Sequence, residues 1–144
     1  MLTLEIKLNR LFALGHERGQ DERTTDDVAR AVSVRLGWVL DPSILVEARA
    51  GQRLTLPAEV ADAICDEFGV EEHLYLREDD SAVVTRIDYF IQLWILVRDR
   101  DLRHLAARGN NLDLETVKEI IHLLEQTAPA DAAPAEVSTL AAGA

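Results

Sequence analysis

The sequence predicts an all-α protein, and three observations carry that prediction. Apolar residues recur at the 3–4 spacing of a buried helix face, first in Leu4, Leu8, Leu11 and Phe12. Helix-start residues stand where such stretches begin, as at Thr24-Thr25-Asp26-Asp27 and Asp41-Pro42, and Gly15, Gly37, Gly51 and Gly69 stand where they end. A third stripe, from Val83 to Leu105, keeps the helical period over more than twenty residues.

Each element follows in order. The first helix runs from about Leu4 to Leu14, and Gly15 to Arg23 is a polar loop. Thr24 and Thr25 cap a second helix whose first turn holds Asp26 and Asp27, where the helix dipole favours negative charge. Val28, Ala29, Val32 and Leu36 form its apolar face, and Gly37 stops it. Asp41 caps a third helix, and Pro42 suits its first position because the missing N–H costs nothing there. That helix reaches about Ala50. Pro57 opens a fourth, with Val60, Ala61, Ile64 and Phe68 inward and Gly69 at its end, and Val70 to Leu76 reads as a connector. A long helix is expected from Ala82 to about Arg108, about 40 Å at 1.5 Å per residue. Leu112 to Gln126 forms the last helix, and the Ala- and Pro-rich segment from Thr127 is expected to be disordered. The expected domains are therefore 1–76, a helical head; 77–126, a two-helix module; and 127–144, a tail.

Composition narrows the function classes. The 144 residues include one cysteine, Cys65, which rules out an intramolecular disulfide or a cysteine metal cluster and makes a cytoplasmic setting the expectation. The amino terminus lacks the continuous apolar core of a secretion signal. No run of about 18 apolar residues exists, so no membrane partner is expected. His16, His73, His104 and His122 have no metal-ligand spacing, and no glycine-rich phosphate loop or nucleophile–base pair is recognisable. The expectation is a protein that is not an enzyme and needs no cofactor or metal.

The informative constellation lies in helices two to four. Small Ala29 allows a close helix crossing, Gly37 makes the turn, and Leu45 and Ala48 face the core beneath. Gly51 permits a left-handed stop, and Pro57 starts the helix that braces it. These residues resemble the lambda-repressor-like (XRE) helix-turn-helix. Leu8-Asn9-Arg10-Leu11-Phe12, the segment Leu45 to Arg53 with Pro57, Tyr75 with Asp79-Asp80, and Arg98 to Arg108 are more specifically similar to the mycobacterial EspR-type regulators. The likeness spans most of residues 8–125. It implies a lambda-repressor-like helix-turn-helix head that binds DNA, followed by a two-helix dimerisation module, in a nucleoid-associated protein or transcriptional regulator.

On that reading Ser43, Ile44, Val46 and Glu47 lie nearest the bases. Arg49, Gln52 and Arg53 flank them, with Arg49 and Arg53 on phosphates and Lys7 or Arg10 adding a contact from the first helix. Charge opposes it. The chain has a formal net charge of −11, and residues 1–76 alone carry −6, with 14 acids against 8 bases. Phosphate neutralisation supplies most of the affinity for nucleic acid, and no segment here is basic. The alternative is a degenerate helix-turn-helix that kept the shape and binds a basic partner or a related regulator. Along the long helix, Ile87, Phe90, Ile91, Trp94 and Ile95 belong to an apolar surface that wraps nearly the whole circumference. A helix apolar all round must be covered, so these residues are expected to form a homodimer interface.

Overall fold

A computed structural model of the chain describes residues 2–77, 81–100 and 113–126. Among the described residues the protein is all-helical: α1 (Leu4–Leu14), α2 (Thr25–Leu36), α3 (Pro42–Arg49), α4 (Ala58–Glu67), α5 (Leu74–Arg77), α6 (Ala82–Asp99) and α7 (Leu114–Gln126). The expected continuation of the long helix to Arg108 and the expected disordered tail both fall outside the described residues.

Helix ends follow the capping residues. The Thr3 hydroxyl accepts from the Ile6 N–H at 3.3 Å, and the Thr24 hydroxyl from the Asp27 N–H at 3.1 Å. Asp41 accepts from the Ser43 N–H at 2.9 Å, which holds its carboxyl below the usual range. Gly37 stops α2 in the left-handed region at φ 81°, where a side chain would be strained. The turn it opens is fastened from within. Ser33 Oγ donates to the Ala29 carbonyl at 2.7 Å and accepts from the Leu40 N–H at 2.8 Å, and Leu40 is buried. Two boundaries differ from the sequence expectation. The connector after Gly69 contains the one-turn α5, formed because Tyr75 and Leu76 are drawn into the core. The last helix starts at Leu114, since Asp113 caps it by accepting from the Thr116 N–H at 2.8 Å.

Contacts divide the chain into two compact units, Met1–Ile91 and one beginning at Gln92. The division falls inside α6, beyond residue 77, because the first turns of α6 are tied to α1 and α5 through Asp88. In the first unit α2 packs on α3 and α4, α1 on α3 and α5, and α5 on α4. Leu8, Leu11, Phe12, Val28, Val32, Leu45, Val60 and Ile64 fill the space between them. Phe12 and Phe68 meet with ring centroids 5.2 Å apart. In the second unit Leu93, Val97, Val117 and Ile121 are buried.

Ion pairs lace the exterior of this core. Glu67 on α4 accepts from Arg23 at 2.8 Å and from Arg35 at 2.9 Å, joining α2 and the loop before it to α4. Burial pushes the Glu67 carboxyl up, but the two guanidiniums outweigh it and hold the group below its ordinary value of 4.5. Asp62, bonded by Arg77, is likewise held below its ordinary 3.8. A carboxylate with a depressed folded-state value contributes stability above its unfolded value and loses it as pH falls through the folded one. The urea midpoint should therefore be flat above about pH 5 and fall steadily toward about pH 3. Glu67→Gln should flatten part of that acid limb, as followed by circular dichroism.

Candidate functional site

The third helix places its side chains by the period of a helix seated on a core. Leu45 and Ala48 turn inward and are fully buried, which leaves Ser43, Val46 and Glu47 on the other side. Ser43 is exposed, Ile44 is half-buried and Val46 is 51% exposed. The Glu47 carbonyl closes the helix by accepting from the N–H groups of Gln52, at 2.9 Å, and Arg53, at 3.2 Å. Gln52 is exposed. Arg53 keeps a side chain 38% exposed, with one terminal nitrogen 3.7 Å from the Glu47 carboxylate and its Nε buried without a hydrogen-bond partner.

Arg49 has a different setting. Its guanidinium lies 3.9 Å from the centroid of the Phe12 ring, its Nε donates to Asn9 Oδ1 at 2.6 Å, and a terminal nitrogen donates to Glu22 at 2.5 Å. Asn9 completes a reciprocal pair by donating from Nδ2 to the Arg49 carbonyl at 3.0 Å. The arginine fastens the end of α3 to α1, with its side chain 23% exposed. The two cations expected as phosphate contacts on α1 are also engaged within the chain, Lys7 by burial and the part-exposed Arg10 by pairing. Lys7 is 1% exposed with its ammonium 6.0 Å from the Tyr75 ring centroid, and Arg10 is held by both oxygens of Asp88. Packing accounts for all three. Long side chains on the inner flank of a helix bury their stems and find a ring or a carboxylate for the charged head.

The end of α2, the link before α3 and the segment after it carry further apolar exposure. Val34, Trp38, Val39 and Leu54 are all exposed, as is Val46 between them in sequence. Sequence reasoning weighed Val46 but not the other four, although Trp38-Val39 after a glycine stop was visible as apolar surface without a helical face.

On α6 the expected interface residues separate. Ile91 turns inward and is buried within the single chain, while Ile87, Phe90, Trp94 and Ile95 are half-buried. Phe90 is flanked by the Arg86 guanidinium at 5.1 Å from its centroid. No family model matches the chain, and no curated protein matches it. Among the described residues no helix is long and apolar enough to cross a membrane, and no cluster of three or more His, Cys, Asp or Glu side chains could hold a metal ion. His73 is engaged by Asp66 at 2.7 Å, and Cys65 is buried with its thiol pushed up to about 12 by burial, which makes it unreactive.

Proposed function

We propose that the protein is a dimeric regulator subunit built on a helix-turn-helix scaffold, with α2 and α3 as the two helices, that acts through protein contacts rather than by reading DNA. The resemblance of Asn9, Ala29, Gly37, Leu45, Gly51 and Pro57 to the lambda-repressor-like pattern supports the scaffold. One observation carries the choice between partners. The outward side of α3 offers Ser43, Val46 and Glu47, with Gln52 just beyond its end, while Arg49 is occupied by Asn9, Glu22 and Phe12 and Arg53 lies beside Glu47. Ser43 and Gln52 could donate to base edges, but a DNA-reading helix also needs free cations for phosphates. An apolar and acidic helix face flanked by exposed Val39 and Leu54 fits a protein partner, such as a related regulator, better than a polyanion.

Fluorescence anisotropy with mixed genomic DNA fragments tests this directly. At about 50 mM salt, where electrostatic binding is strongest, no saturable binding is expected. Affinity that appears there and falls steeply by about 200 mM would overturn the proposal. A photo-cross-linker placed at Val46 should correspondingly capture protein in the native cell and no DNA.

A further inference from the structure

A buried polar cluster lies away from α3. Asp88 is 2% exposed in the first half of α6. Its Oδ1 accepts from Arg10 Nε at 2.9 Å and from the Tyr75 hydroxyl at 2.6 Å, and its Oδ2 accepts from Arg10 Nη2 at 3.0 Å. Three elements therefore meet on one carboxylate: α1, α5 and α6. Burial and the Asp88 charge raise the Tyr75 phenol far above its ordinary range, so it stays protonated and donates.

Burying an ion pair is an expensive way to gain stability, since desolvation consumes much of the attraction. What such a cluster supplies well is uniqueness of arrangement, as single buried polar residues do in helical assemblies. The first half of α6 has that need. Val83, Val84, Ile87, Phe90 and Ile91 span one arc of about 120° with Ile87 at its centre, so hydrophobic contact alone would turn Ile87 inward and leave Asp88 at the edge. We propose that Asp88 is a rotational pin: its bidentate bond to Arg10 and its bond from Tyr75 select the one setting in which Val84 and Ile91 turn inward and Ile87 and Phe90 remain available at the surface. Val84, Asp88 and Ile91 share one helical face by their spacing of four and three, and all three are buried. A rotation of α6 that brought Ile87 inward would swing Asp88 away from Arg10 and take its acceptor from the buried Tyr75 hydroxyl. The proposal does not depend on which partner α3 meets.

Single-cysteine probes read this rotation, because buried Cys65 supplies little background. Val84→Cys and Ile87→Cys would each be placed in the full chain, alone and with Asp88→Asn, and maleimide labelling followed in time. With Asp88 present, position 87 should label quickly and position 84 slowly. With Asp88→Asn, labelling at position 84 should accelerate about tenfold or more relative to position 87, a local opening rather than global unfolding. Cys65 is the internal control and should stay protected. An unchanged ratio in a folded Asp88→Asn protein overturns the pin, and so does equal acceleration at Cys65, which would make Asp88 an ordinary core support. Tyr75→Phe removes one bond and leaves the ion pair, so it serves if Asp88→Asn does not fold. A smaller shift of the same ratio is expected there, and no shift overturns the proposal.

Discussion

Arg49→Ala should destabilise the protein by roughly 2–4 kcal/mol, through loss of a hydrogen bond from a charged donor and of a close cation–π contact. The Glu22 pair is part-exposed and adds little to that figure. For a unit of this size each kcal/mol moves the melting temperature by about 4–8 °C, so a drop of roughly 8–32 °C is expected by calorimetry. The conservative variant is the sharper experiment. Lys keeps the charge but has neither the planar face that stacks on Phe12 nor the fixed Nε geometry that meets Asn9. Arg49→Lys should therefore lose most of the same stability, whereas a residue serving only as a phosphate contact would tolerate the exchange. A double-mutant cycle with Asn9→Ala should return a coupling of about 1–3 kcal/mol, because Asn9 bonds both the side chain and the carbonyl of Arg49. Additive effects would show that the two residues act separately.

The pattern behind Arg49 explains what could be read from the sequence and what could not. Local chemistry was legible. Thr24 over Asp27, Asp41 over Ser43, Pro42 at the start of α3 and Gly37 in the left-handed stop are decided within a few residues, and each appears where expected. The core faces of α1 to α4 were legible for the same reason, since their periods are local. The destinations of the charged side chains were not. Lys7, Arg10 and Arg49 read as solvated cations because their partners are remote: Asn9 and Arg49 are 40 residues apart, Arg10 and Asp88 are 78. One signal was available. Asp88 is the single acid between Ala82 and Arg98, and a lone carboxylate in an apolar helix implies a buried donor somewhere else. For the same reason the charge count overstated the cations open to a polyanion. Of those assigned to phosphates on α1 and the end of α3, Lys7 is buried and Arg10 and Arg49 are paired within the chain.

On the proposed dimer, Trp94→Glu should convert an assembly of two 16.0 kDa chains into single chains, as measured by light scattering with helicity retained. From Leu93 onward α6 distributes its apolar groups around its circumference. Leu93 and Val97, four residues apart, are buried in the single chain, yet Trp94, Ile95 and Leu96 between them stay half-exposed. An indole and two aliphatic side chains left part-exposed on one helix are costly in water and are the composition of an interface centre. A carboxylate introduced there would be repelled by its symmetry mate across a twofold interface, which adds to the lost packing. The contrast with Ile91 separates an interface from a core. Ile91 is already covered within one chain, so Ile91→Glu buries an unpaired charge and should lower stability by more than about 4 kcal/mol. Trp94→Glu should instead leave thermal unfolding of the first unit nearly unchanged while the mass falls by half. A parent protein that scatters as a single chain, or a Trp94→Glu variant that keeps the parent mass, removes α6 as the dimer interface.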